Sequence, residues 1–215
     1  MLALGVFAVA HSALASRRAK GRADALLGER RSAGLYRFTF NALSVVKLIA
    51  LFGYLHRLPD RTLYRVRGVP RLLMHAGQLL SLGMIVAAAR QAGFGRISGV
   101  APLGDLLAGD DVQPPPAAQH PAPRNSDELG WHGPYRLSSH PTNYFVLPAY
   151  WLSPVMTVKW AAIGLATTLY MVLGSIHEDA RLHDVYGERF ARYRAHVPHF
   201  LFPIPIGAWL RRQRT

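Results

Sequence analysis

Cysteine is missing altogether from the 215 residues, and acidic residues are scarce, with 12 Asp and Glu against 25 Lys and Arg. Without a thiol there is no disulfide framework, no thiolate zinc site, no iron–sulfur cluster and no cysteine nucleophile, whatever compartment the protein occupies. Any covalent catalysis falls to another residue. Charge of either sign is sparse too, at 17% of the chain, while half of it is apolar. Such totals fit a globular or a membrane protein equally, so the distribution along the chain has to decide. It is uneven: long stretches are nearly free of charge, and the basic residues crowd between them.

Met1 to Ala15 is apolar apart from His11 and ends at Ser16-Arg17-Arg18. Fifteen residues reach about 22 Å as a helix, short of the roughly 30 Å hydrocarbon core. Ala13-Leu14-Ala15 has the look of a cleavage site, but there is no positive n-region and the basic cluster follows the run, so the stretch reads as a first membrane helix. Spans two and three are expected over about Tyr36 to Leu55 and Pro70 to Ala89, with Lys47 and His75 as their polar exceptions. Arg90 to Ser139 is polar and irregular, and Gln113-Pro114-Pro115-Pro116 excludes a helix interior there, so it is expected to be loop. Two further apolar runs, Asn143 to Val158 and Lys159 to Ile176, read as a hairpin that crosses and returns. Pro148 and Pro154 in the first of them suit a kinked span beside a wet cavity. His177 to about Ala195 is an amphipathic, charged helix, and a proline-rich tail follows. The expectation is therefore an all-α integral membrane bundle of about five transmembrane helices with a cytoplasmic C-terminal amphipathic helix. Its regions are a three-span part (1–89), a proline-rich cytoplasmic loop (90–132) and a two-span hairpin with helix and tail (133–215).

Five spans put the termini on opposite sides. Seven basic residues lie in the first loop, four in the long loop and seven in the tail, which together face one side; the opposite side receives five from the second loop plus Lys159. The positive-inside rule then makes the richer side cytoplasmic and the N-terminus external, as in a bacterial inner membrane protein. Anionic lipid of the cytoplasmic leaflet is the expected partner for this charge, and nucleic acid is not required to explain it. The oligomeric state is not encoded in any of these patterns.

The chemistry-bearing stretch is Gly133-Pro134-Tyr135-Arg136-Leu137-Ser138-Ser139-His140-Pro141-Thr142-Asn143-Tyr144, at the cytoplasmic entry of the fourth span. Further along come Ser175-Ile176-His177-Glu178-Asp179, then Tyr186-Gly187, Tyr193 and Val197-Pro198. A returning hairpin brings the two stretches to one membrane face. In this order and spacing they resemble the isoprenylcysteine carboxyl methyltransferase-like family of integral membrane methyltransferases. That family's pattern is Gly-Pro-Tyr-Arg, His-Pro, a hydrophobic hairpin, a Glu-Glu pair, Tyr or Phe-Gly, Tyr and Val-Pro. The resemblance covers Gly133 to Pro203 and, more loosely, His11-Ser12 and Leu58-Pro59-Asp60. It implies S-adenosylmethionine as cofactor and a lipophilic or small thiol or carboxylate acceptor. His140, Pro141, Asn143 and Tyr144, with Glu178, Asp179, Tyr193 and Pro198, would form the cofactor site. Glu178 and Arg136 would serve the reaction, and Tyr135 the acceptor cavity. The chain departs from the pattern at Ser139, where the family has Arg, at Asn143 and Phe145, and at Asp179 in place of the second Glu.

Methyl transfer from a sulfonium is an in-line displacement that disperses positive charge, so it needs positioning and desolvation more than an acid or a nucleophile. A cofactor with a carboxylate, an ammonium, a ribose and an adenine asks for a cationic or histidine donor, a carboxylate and an aromatic face. Arg136, His140, Glu178, Asp179 and the tyrosines supply those types. Plainer roles stand beside these: His140-Pro141 as a helix start, Glu178 paired with Arg181 at i+3, and Tyr186, Phe190 and Tyr193 packing an interfacial helix.

Lys47 falls near the middle of the second span, where a charge costs at least ~2.5 kcal/mol and usually faces a cavity or a partner. It is expected to line an internal cavity, while His11 and His75 are expected to be buried and hydrogen-bonded. Ten histidines raise the question of a metal. His177-Glu178 with His183 lacks the His-Glu-x-x-His spacing, and Asp179 with His183 makes two ligands only, so no metal site is expected. Two other functions share parts of the pattern: an NADPH-dependent membrane reductase of the sterol-reductase type, and a non-catalytic membrane protein of the same fold.

Overall fold

The structure is a computed structural model that describes residues 2–112 and 132–199. The proline-rich run Gln113 to Pro116 and the tail beyond His199 lie outside the described residues. Nine α-helices and two short strands are described: α1 Leu2–Ala15, α2 Arg17–Leu27, α3 Glu29–His56, β1 Thr62–Arg65, α4 Gly68–Gln91, α5 Phe94–Ser98, α6 Val100–Ala108, α7 Pro141–Trp151, β2 Val155–Thr157, α8 Val158–Tyr186 and α9 Glu188–His196. A single 3-10 turn, Gly133–Arg136, precedes α7.

The fold class is all-α and of the integral membrane type. Three helices, α3, α4 and α8, are long and apolar enough to cross a bilayer. Their outer faces carry Ile49, Leu79, Leu80 and Leu165, each at least 66% exposed. Leucine in that number, uncovered by protein, is what lipid contact requires. Helix α1 has 14 residues, about 21 Å of rise, as expected for the first apolar run; the fourth span is shorter than expected, for α7 has 11 residues, about 16 Å of rise. Chain turning at Ser153-Pro154 ends α7 early, because Pro154 disfavours helical backbone in the residue before it. The expected separate C-terminal helix is instead the continuation of α8 to Tyr186. The break comes at Gly187, whose φ of 52° suits a residue without a Cβ. Part of the expected long loop is helical too, as α5 and α6.

The described chain divides into two compact units. The first comprises the chain up to Arg67, Gly93 to residue 112, and Pro154–Tyr170. Here the Asn41 amide on α3 donates to the Ile97 and Ser98 carbonyls at 3.1 and 2.8 Å, fixing α5. Gly99, at φ 84°, lies so close to α3 that a Cβ would sit 2.3 Å from the Phe38 nitrogen. Antiparallel β1 and β2 pair Thr62 with Thr157, Tyr64 with Met156 and Arg65 with Val155. Beside them the Lys159 ammonium donates to the Leu55 and Leu58 carbonyls at 2.8 and 2.7 Å, satisfying the C-terminal end of α3.

Gly68–Ala92, residues 132–153 and Met171 to residue 199 make up the second unit. Helices α4 and α7 pack tightly, with Leu152 filling the space over Gly77. The Gln78 amide donates to the Ala149 carbonyl at 2.9 Å, supplying a partner at the C-terminal end of α7. His75, on the same helix, shares a 2.9 Å bond with Gln78 Oε1, the hydrogen-bonded role expected for it, although it is only half-buried.

Candidate functional site

All parts of the site belong to the second unit. His140 stands immediately before α7, where Pro141 occupies the first helical position with no N–H to lose. Its backbone N–H donates to Ser138 Oγ at 3.1 Å, and that hydroxyl donates to the His199 carbonyl at 2.8 Å. The Ser139 N–H donates to the Pro198 carbonyl at 3.0 Å. Thus the loop entering α7 is laced to the chain leaving α9. Ser138 and Ser139 are both fully buried in this join.

Into this frame α8 places two consecutive carboxylates. His140 Nε2 lies 2.6 Å from Asp179 Oδ1, and Nδ1 lies 3.6 Å from Glu178 Oε2. Asp179 Oδ2 is bonded to His199 Nδ1 at 2.8 Å and lies 3.4 Å from Arg194 Nε. The rings of His140 and His199 meet edge to face, 5.0 Å between centroids. The His140 side chain is 3% exposed, whereas Glu178 and Asp179 keep 16% and 24%. A ligand can therefore approach the carboxylates while the imidazole stays enclosed behind them. Burial disfavours a charged His140, but its bonds to Asp179 and Glu178 outweigh that, and its pKa is raised above the ordinary 6.5.

Asn143, one turn into α7, donates from Nδ2 to Ser175 Oγ at 2.9 Å, and Ser175 donates to the Met171 carbonyl within α8. Together these bonds fix α7 against the second half of α8, one turn before Glu178. Tyr193 is fully buried, and its hydroxyl donates to the Tyr135 carbonyl at 2.6 Å. Desolvation raises the pKa of both phenols, so both stay neutral. Tyr144 is half-buried with its ring against Phe145. Arg136 is exposed at the end of the 3-10 turn. Lys47 belongs to α3 in the first unit.

Of the residues named from sequence, the structure brings together His140, Pro141, Glu178, Asp179, Asn143, Tyr193 and Pro198. Tyr193 and Pro198 support the site through its backbone, and Tyr135 is enclosed with them. His199 and Arg194 were not anticipated, although each lies next to a motif residue, Pro198 and Tyr193. Asp179 was weighed as a metal ligand with His183, which is exposed. Its neighbours are instead His140 and His199, and the three place one potential ligand atom each within 4.8 Å of one another.

The chain is 32% identical over 63 residues to a methanethiol S-methyltransferase of Pseudomonas deceptionensis, 29% of this chain and 24% of that protein. Matches of 30% over 63 and 64 residues join it to methanethiol S-methyltransferase 1 of Bradyrhizobium diazoefficiens and to a methanethiol S-methyltransferase of Crocosphaera subtropica. The resemblance to the isoprenylcysteine methyltransferase-like family holds. It is partial, for each match spans about a quarter of the relative's own length (22–25%). No family model matches the chain, and no solved structure does.

Proposed function

We propose that this protein is a membrane methyltransferase that passes the methyl group of S-adenosylmethionine to a lipophilic or small thiol or carboxylate acceptor at the cytoplasmic face. The observation that carries this is the placing of His140 between Glu178 and Asp179. Two chain segments that resemble the family's motifs are 38 and 39 residues apart, yet share one hydrogen-bonded cluster. Similarity to three proteins named methanethiol S-methyltransferase supports methyl transfer as the general activity.

The donor set suits such a cofactor. Its amino-acid end carries an ammonium, for which the partly open Glu178 and Asp179 offer acceptors, while His140, enclosed behind them, holds those carboxylates in position. When bound, S-adenosylmethionine supplies an electrophilic methyl group on a sulfonium. The chain's own residues then have three tasks. Glu178 and Asp179 bind and orient. His199 and Arg194 hold Asp179 in place, and Asn143 with Ser175 fixes the helix that carries His140. Since the displacement disperses positive charge, water exclusion around the buried His140 helps more than a proton transfer. Arg136, exposed on the 3-10 turn, is in this account a contact for the acceptor or for anionic headgroups.

Incubating the purified protein with methyl-labelled S-adenosylmethionine and a panel of thiols, isoprenoid thioethers and carboxylic acids tests the proposal. Label in one acceptor class, lost in Glu178→Gln, supports it. Oxidation of NADPH by the same preparation without label transfer would favour the reductase alternative instead.

A further inference from the structure

The first unit holds a polar cluster that the cofactor site does not use. Phe40, Ser44 and Lys47 follow one another at i, i+4 and i+7 on a single face of α3, and Phe7 and His11 lie at i and i+4 on α1. The His11 ring is stacked 5.6 Å from Phe7, lies 4.8 Å from Phe40, and meets Tyr170 of α8 edge-on at 6.1 Å. Ser44 donates its one hydroxyl hydrogen to the Phe40 carbonyl at 2.7 Å, so the 3.1 Å contact between its oxygen and His11 Nδ1 requires the hydrogen on that nitrogen. His11 thereby carries a hydrogen on Nδ1, and that N–H is already used.

Lys47 has no such partner. Its Nζ is buried by protein and makes no hydrogen bond; its neighbour is the Phe7 ring, 5.9 Å from the centroid. Ten residues separate it from Arg37 and nine from His56, about 15 and 14 Å of helix, which places it midway through a 30 Å hydrocarbon layer. Among the described residues no carboxylate is paired with it. The sequence contains no Asp or Glu in α1, between Glu29 and Asp60, or from Val158 to Tyr170. An ammonium with three donors, enclosed at mid-membrane beside an imidazole whose Nδ1–H is spent and beside aromatic rings, has its apolar surroundings in place and, among the described residues, lacks its counter-charge.

We infer that the Lys47–His11–Ser44 cluster is a binding site for a monoanionic headgroup carried on an apolar chain. One ammonium neutralises one charge, and with the His11 donor occupied no second cation is at hand, so a dianionic phosphate monoester is poorly matched. The apolar tail suits the phenyl rings and the surrounding lipid. A free fatty acid and a monoanionic phospholipid share this chemistry. The inference concerns the first unit and stands independently of the cofactor site.

Binding of radiolabelled tetradecanoate to the full-length protein in an uncharged detergent tests it, with competition by methyl tetradecanoate and by phosphatidylglycerol. Wild type should bind the acid at least about tenfold more tightly than the ester, Lys47→Met should lose that preference, and Lys47→Arg should keep it. Competition by phosphatidylglycerol would identify a lipid headgroup as a source, and its absence a free acid. Equal displacement by acid and ester, or undiminished acid preference in a Lys47→Met protein that remains monodisperse and helical, would overturn the inference.

Discussion

His140 and Asp179 meet with Nε2 and Oδ1 2.6 Å apart although 39 residues separate them, and on the far side of the same carboxylate His199 binds Oδ2 at 2.8 Å. One aspartate thus joins the entrance of α7, the far end of α8 and the chain beyond α9. This arrangement has consequences for stability as well as for binding.

Because folding raises the pKa of His140 above 6.5, the stabilisation it supplies is complete below that value and fades as pH rises through the folded-state pKa. Thermal unfolding of the protein in detergent, followed by tryptophan fluorescence across the neutral range, should show stability falling on the alkaline side. His140→Gln should flatten that slope; a parallel curve in the variant would remove His140 as its source.

Tyr193→Phe deletes the hydroxyl bound to the Tyr135 carbonyl and leaves a buried acceptor unpaired, at a cost of about 1–3 kcal/mol. As that hydroxyl is spent inside the protein, cofactor affinity should stay within about threefold. Denaturation and binding measured on one preparation separate the two effects.

Two glycines with the same backbone twist should respond differently to alanine. Gly99 and Gly109 have φ of 84° and 85°, but a Cβ at Gly99 would collide with Phe38, while at Gly109 it meets nothing within 4 Å. Gly109→Ala should cost about 1–2 kcal/mol from strain alone, and Gly99→Ala distinctly more, visible as a lower unfolding temperature.

The distribution of basic residues predicts an orientation in the membrane. A reporter fused after Thr215 should read cytoplasmic, and one fused before Met1 should read external. A periplasmic C-terminus would overturn the orientation.

Much of the membrane part was legible. The apolar runs at 36–55 and 70–89 became α3 and α4, each extended by a few residues into charged flanks that still favour helix. Helix α2 was hidden by its four basic residues, although Ser16, whose Oγ accepts from the Ala19 N–H, is an N-cap signal. Strands β1 and β2, four and three residues long, lie some ninety residues apart, and such a non-local pairing leaves no local mark. At the site, the His-Pro and Glu-Asp positions carried enough spacing information to be matched. His199 and Arg194 did not, because their role depends on the tail folding back onto Ser138 and Ser139, a tertiary event without periodicity.

The most direct measurement is calorimetric titration of S-adenosylmethionine into the detergent-purified protein, with NADPH titrated in parallel and His140→Ala as the comparison. Saturable binding of S-adenosylmethionine, weakened about 10- to 100-fold in His140→Ala through loss of the charge-assisted bond that positions Asp179, worth about 1.5–3 kcal/mol, is the expected result. Equal affinity in wild type and variant, or binding of NADPH alone by a folded protein, would contradict the assignment of the His140–Glu178–Asp179 cluster to this cofactor.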